Sequence, residues 1–193
     1  MRARIPILLI AIHMFGAACA QAGGPKADVT SAAAMREITV PIFGQFGDHH
    51  SFPAIRDWNS LRIGLWRTAC PGPCPSYTVQ IRGDGTVHYQ GKYCVLTKST
   101  RAGHLTHDKI KNLFQAFQRA DFFSLRAAYN ERVLDGSGIR LTLEYDHKSW
   151  SVVDMAETEG LPAQAAALPG IIDSMVNSAH WVGHNSGAHC PKP

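Results

Sequence analysis

The stretch Tyr77-Thr78-Val79-Gln80-Ile81-Arg82-Gly83-Asp84-Gly85-Thr86-Val87-His88-Tyr89 decides the fold. Tyr77, Val79 and Ile81 alternate with Thr78, Gln80 and Arg82, and Val87 and Tyr89 resume the alternation after the glycines. A period of two places the apolar side chains on one face of an extended chain. Asp-Gly between two such runs supplies the positive φ angles of a tight hairpin turn. The segment predicts two antiparallel strands with one buried face.

Working outward, Leu61, Ile63 and Leu65 alternate with Arg62, Gly64 and Trp66, predicting a strand that runs into Cys70-Pro71-Gly72-Pro73-Cys74. Tyr93 to Thr97 reads as a third strand after Gly91-Lys92. Thr106 is a good N-cap with Asp108 in the first turn, and Ile110, Leu113, Phe114 and Phe117 then share one helical face. Phe122, Phe123 and Leu125 extend this apolar material as a short helix or turn. Ile139, Leu141, Leu143 and Tyr145 alternate again, Asp146-His147 turns, and Trp150 and Val152 return to Asp154. From Leu168 the spacing becomes helical, through Ile171, Ile172, Met175, Val176 and Ala179, with Pro169 suited to its first turn. Adjacent strands joined by hairpins imply an α+β fold: an antiparallel sheet of about five strands with two or three helices packed on one face. The domain is expected over 61–183, followed by a tail over 184–193.

The N-terminus carries the marks of export. Arg2 and Arg4 precede an apolar run from Ile5 to Phe15 that is too short to span a bilayer. Ala18-Cys19-Ala20 and Ala20-Gln21-Ala22 both offer the small-x-small pattern of signal cleavage. We expect a signal peptide over 1–20 and a partly ordered lead-in over 21–60. The chain is then periplasmic or secreted. A second reading makes Cys19 a lipid-bearing residue, which anchors the protein to the membrane without any spanning helix. Loss of Arg2 and Arg4 lowers the net charge from +4 to about +2 by count. With no Lys/Arg run to concentrate it, that charge argues against nucleic acid as a partner.

Without Cys19, four cysteines remain: Cys70, Cys74, Cys94 and Cys190. An even number in an exported chain favours two disulfides, with three connectivities open. Pro71-Gly72 suits the centre of a type II turn, and Pro73 has no N–H to close it. A Cys70–Cys74 bridge supplies that closure. A redox dithiol normally has two intervening residues and sits at a helix N-terminus. Here the spacing is one longer and a strand follows. A zinc site needs two further ligands at matched spacing, and neither His49-His50 nor His184 with His189-Cys190 completes a standard finger.

Ten histidines are many for this length, but His49, His50, His104, His107, His184 and His189 fall in turns or tails. No Gly-x-Ser-x-Gly elbow, His-Glu-x-x-His helix or phosphate-binding glycine loop is present. Asp135, in a Gly-Ser-Gly connection, and Asp154 are the carboxylates that an acid–base reaction would call on. Their spacing along the chain sets no distance between them. No catalytic residue, cofactor or metal ligand set follows from these patterns.

Arg67-Thr68-x-Cys70-x-Gly72-x-Cys74-Pro75-x-Tyr77, followed by Ile81, Asp84-Gly85, Val87, Tyr89 and Gly91, resembles the signature of an exported bacterial family, domain of unknown function 6438. The resemblance is specific over 61–95. It continues more loosely through the Phe-rich helix, Asp135, the later strands and Trp181-Val182-Gly183. It implies a periplasmic, secreted or lipoprotein location and no established activity. Cys70 and Cys74 belong to its pattern, whereas Cys94 and Cys190 do not. The resemblance thus implies the pairing Cys70–Cys74 and Cys94–Cys190.

These features point to a non-enzymatic envelope module that binds an envelope protein or a small ligand. Arg67 and Tyr77, which flank the cysteine loop, and Asp135 are the residues expected near any site. The alternative is an envelope thiol-redox or metal-handling protein using Cys70, Cys74 and nearby histidines.

Overall fold

The computed structural model describes residues 47–190 apart from 132, 134, 157 and 185. The export segment, its cleavage site and Cys19 lie outside the described residues. Seven strands form one sheet: β1 (Arg62–Arg67), β2 (Ser76–Arg82), β3 (Thr86–Tyr93), β4 (Thr100–His104), β5 (Ala128–Tyr129), β6 (Ile139–Tyr145) and β7 (Lys148–Asp154). Their order across the sheet is β4-β3-β2-β1-β6-β7-β5. Every pairing is antiparallel except β5 with β7. The helices are α1 (His107–Arg119), α2 (Ala163–Ala166), α3 (Leu168–Val176) and α4 (Ala179–Val182), of which α2 and α4 are single turns.

The hairpin forms where alternation predicts it, with Ile81 opposite Val87 and Val79 opposite Tyr89. Within Gly83-Asp84-Gly85, Gly85 alone takes a positive φ, 91°, and its N–H donates to the Arg82 carbonyl at 2.9 Å. At the other hairpin, both Asp146 and His147 adopt positive φ, the geometry that matches strand twist in a two-residue turn. Asp146 then accepts from the Arg56 and Asp57 amides at 2.6 and 3.1 Å, which ties residues 56–57 to the sheet.

Alternation accounts for five strands, and the sheet has seven. Strand β4 reads Thr-Arg-Ala-Gly-His and is exposed at all but one position, so it has no apolar face to mark it. Strand β5 has only two residues and pairs in parallel. The strand expected over 93–97 does not form. Strand β3 instead runs through Gly91-Lys92 to Tyr93, and Cys94 turns left-handed with φ of 51°. The next residues leave the sheet: the Leu96 and Thr97 amides donate to the Val182 and Trp181 carbonyls, both at 2.9 Å.

One buried cluster joins the inward residues of the sheet, including Ile63, Leu65, Val79, Leu141 and Leu143, to α1 (Ile110, Leu113, Phe117) and α3 (Leu168, Ile172). Burial of these side chains is the main force holding helices to sheet, about 1.5–3 kcal/mol for each large aliphatic or aromatic. Thr106 caps α1, accepting from the Lys109 amide. Phe52, Ile55 and Trp58 pack against the same cluster from the segment before β1.

A cleft beside the cysteine loop

The last residue of β1 faces inward. Arg67 pairs with Tyr77 on β2 and Ile139 on β6, and so shares the face of Ile63 and Leu65. A charge there needs a partner. Asp173 on α3 supplies it: Arg67 Nε and Nη2 both donate to Asp173 Oδ2, at 3.1 and 2.8 Å. The other oxygen, Oδ1, accepts from Tyr77 Oη at 2.8 Å and from Ser178 Oγ at 2.7 Å.

The C-terminal end of α3 explains how Ser178 reaches Asp173. Asn177 takes a left-handed conformation with φ of 55°, and the Ser178 amide donates back to the Asp173 carbonyl at 3.0 Å. With the Asn177 amide on the Ser174 carbonyl, this is a Schellman closure, whose left-handed position is usually held by Gly and sometimes by Asn. It folds Ser178 over the carboxylate of the residue five positions earlier. Pro169, in the first turn, costs no helix hydrogen bond.

Cys70 and Cys74 are joined by a disulfide with their Cα atoms 5.5 Å apart, and the Gly72 amide approaches Cys70 Sγ at 3.2 Å. Thr68 anchors the base of this loop to the loop that precedes β6. Its amide donates to the Gly138 carbonyl at 2.9 Å, and its Oγ1 accepts from the Gly138 amide at 2.7 Å. Gly138 fits because a Cβ there would stand 3.1 Å from the Asp154 carbonyl and 3.2 Å from Thr68 Oγ1. Between the two loops opens a cleft of about 330 Å³, lined among others by Arg67, Pro73, Cys74, Tyr77, Ser137 and Asp173.

The electrostatics follow from this packing. Burial opposes the charge on Arg67, but Tyr77 and Asp173 more than compensate and lift its pKa above the ordinary arginine value. Burial first, and the Asp173 carboxylate second, push the Tyr77 phenol far above its usual range. Behind Tyr77 lies Tyr89, with ring centroids 5.6 Å apart, and then Trp181, 4.9 Å further. Burial and the Asp173 carboxylate raise the Tyr89 phenol to about 12. The Tyr89 hydroxyl is buried without a hydrogen-bond partner among the described residues.

The structure brings Arg67, Tyr77 and the Cys70–Cys74 loop together. It does not bring Asp135 to them: that residue is exposed and is not among those lining the cleft. Asp154 is fully buried and committed, accepting from Asn130 Nδ2 at 2.8 Å and from the Ala156 and Gly160 amides at 2.9 and 3.1 Å. The second disulfide joins Cys94, just after β3, to Cys190. Asp173 and Ser178 have no sequence motif; the available signal is a lone acid among Ile171, Ile172, Met175 and Val176, facing a lone arginine on an apolar strand face.

Ser124, His49 and Asp121 also meet, and they resemble a hydrolytic triad only in composition. Ser124 Oγ and Asp121 Oδ2 approach the same imidazole nitrogen, Nδ1, at 3.2 and 3.4 Å. A triad needs the acid and the nucleophile on opposite nitrogens. Ser124 is buried and accepts from the His50 amide at 2.9 Å, which makes it a brace for the 49–50 segment. Among the described residues, no three His, Cys, Asp or Glu side chains gather as a metal site. The disulfide loop leads into strand β2 and not into the helix N-terminus at which a redox dithiol normally sits.

Fold and site together define an α+β sheet-and-helix domain with a disulfide-framed cleft at one end of its sheet. The chain belongs to the family described as a domain of unknown function, DUF6438, whose model matches residues 61–176. That match takes in every strand of the sheet, the cysteine loop and α3 with Asp173. Comparison with curated proteins finds no match. Among the described residues no helix is long and apolar enough to cross a membrane.

Proposed function

We propose that this protein is a non-enzymatic envelope module, periplasmic or secreted, that binds a partner or small ligand through the cleft beside Cys70–Cys74. The observation that carries the reading is the occupancy of Asp173. Its two oxygens already accept four hydrogen bonds, from Arg67 twice, Tyr77 and Ser178. A carboxylate filled in this way has no lone pair left to take a proton from a substrate. Arg67, by contrast, keeps donors: two of its five N–H groups are committed to Asp173 Oδ2, and Tyr77 is the other side chain that faces its guanidinium. The cleft therefore offers a positioned donor edge and, among the described residues that line it, no free carboxylate or imidazole. Its apolar wall of Pro73, Pro75, Tyr77 and the disulfide favours a carboxylate or carbonyl group carried on a partly apolar body. Two disulfides accord with an oxidising compartment.

Titration with N-acetyl amino acids, followed by amide and Arg Nε NMR shifts, tests the reading. Perturbations should centre on Thr68, Tyr77, Gly138 and Arg67 Nε, and should vanish in Ser137→Trp, which fills the cleft. Shifts centred elsewhere would refute the cleft. Turnover of a peptide, glycan or ester panel that a single substitution abolishes would refute the non-enzymatic assignment.

A further inference from the structure

The sheet face opposite the helices is open and polar, and its charge is unevenly placed. Trp66 stands near one end of this face, with Arg140 directly across on β6 and Thr78 directly across on β2. The Arg140 guanidinium carbon lies 4.9 Å from the indole centroid, and Lys92 Nζ, from β3, lies 5.2 Å from it. Two cations from strands on either side thus converge on one ring. Both are exposed, and among the described residues neither pairs with a carboxylate. At the other end of the face the charges cancel: Arg62 stands opposite Glu144, and both Arg82 and Arg62 act on Asp84. Trp66 Nε1 is buried and has no acceptor among the described residues.

We propose that Trp66, Lys92 and Arg140 form a binding surface for an acidic polysaccharide, whose sugar rings carry carboxylate or sulfate groups. Lys92 and Arg140 pair with the anionic groups. As they move to do so they uncover the indole, whose electron-rich face suits the C–H face of a pyranose. A ligand oxygen then reaches the Nε1 donor that the free protein leaves unsatisfied. Thr78, directly across from Trp66 on β2, adds a hydroxyl for sugar hydroxyls. An anionic membrane fits less well, because interfacial binding needs apolar side chains to insert. The exposed large hydrophobics among the described residues, Leu96 and Val133, lie outside the strands. Single-stranded nucleic acid calls for successive rings stacked along a basic groove, and here the two cations converge on a single indole. The surface uses none of the cleft residues and stands whether or not the cleft binds anything.

Calorimetry of the oxidised protein with alginate oligosaccharides and dextran sulfate tests the proposal, with neutral dextran and phosphatidylglycerol vesicles as controls. We expect at least one acidic glycan to bind, to quench tryptophan fluorescence and to weaken with salt. The exposed pair Lys92→Gln/Arg140→Gln should lose about tenfold or more in affinity (roughly two surface charge contacts), and Trp66→Phe should lose the quench. Arg62→Gln/Arg82→Gln should retain binding. The proposal is overturned if neither acidic glycan binds, if neutral dextran binds equally, if only vesicles bind, or if Arg62→Gln/Arg82→Gln weakens binding as much as the Lys92/Arg140 pair.

Discussion

Arg67, the last residue of β1, closes two of its nitrogens on one oxygen of Asp173, which lies 106 positions later in α3. This ion pair pins the helix layer to the sheet at the end where the cleft opens. Each side chain keeps about a fifth of its surface exposed, 21% and 19%. The penalty for breaking it therefore falls below that of a fully buried pair. Asp173→Ala strands Arg67 and leaves the Tyr77 and Ser178 hydroxyls without their acceptor, and should cost about 2–3 kcal/mol in urea unfolding. Arg67→Met/Asp173→Leu removes both charges and should cost less than Asp173→Ala alone. A double variant as unstable as the sum of its singles would show that the two residues act independently.

Alkaline pH should loosen the sheet at both ends, at Tyr77 and Tyr89 beside the cleft and at Tyr145 at the far end of β6. Tyr77, Tyr89 and Tyr145 all have phenols raised above the ordinary 10.0, mainly by burial, with Tyr89 and Tyr145 at about 12. A raised folded-state pKa means the folded protein holds its proton more tightly than the unfolded chain does. The stabilisation is complete below pH 10 and is lost as pH rises from about 10 to 12. Absorbance at about 295 nm should show fewer phenols ionising near pH 10 in the folded protein than in denaturant. Tyr145→Phe should flatten the stability decline in that window. An unchanged slope would remove Tyr145 from the account.

The strands visible in the sequence are those with one apolar face: β1, β2, β3, β6 and β7 each bury alternate residues. Strand β4 escapes because an edge strand exposed on both faces has no reason to alternate. The cleft was half legible. Arg67 and Tyr77 flank the cysteine motif and sit on the predicted inward face, but their acceptor comes from a helix a hundred residues away. Long-range pairing of that kind leaves no local pattern. The cationic end of the open face was hidden for a related reason. Trp66, Lys92 and Arg140 come from three strands and form no run, so a net charge of +4 gave no hint of their convergence.

The two disulfides should differ in what they contribute. Cys94–Cys190 closes a loop of 96 positions, against 4 for Cys70–Cys74. Chain-entropy arithmetic assigns about 4–5 kcal/mol to the former and about 2 kcal/mol to the latter. Cys94→Ser/Cys190→Ser should lower the urea midpoint more than Cys70→Ser/Cys74→Ser. The second pair should instead disturb the NMR shifts of Thr68 and Gly138 at the cleft. If the short-loop variant were the less stable of the two, loop closure could not be the main source of stability.

Gly91 marks a tight backbone approach on the inward face of β3. A Cβ there would stand 1.9 Å from the Thr97 carbonyl oxygen, 2.8 Å from Val95 Cγ2 and 2.9 Å from the Tyr89 hydroxyl. The first contact is with backbone, and the segment carrying it is held by the Thr97 amide on the Trp181 carbonyl at 2.9 Å. The chain cannot retreat without parting β3 from α4. Gly91→Ala should therefore destabilise the protein by about 2–3 kcal/mol, at the upper end of what one added methyl costs in a packed core. Hydrogen exchange locates the damage. The Leu96 and Thr97 amides should lose protection before the β1–β6 ladder does, because they carry the backbone hydrogen bonds from the displaced segment to α4. Uniform loss across the sheet would mean that the residues after β3 unfold with the whole domain, and that Gly91 acts through global stability alone.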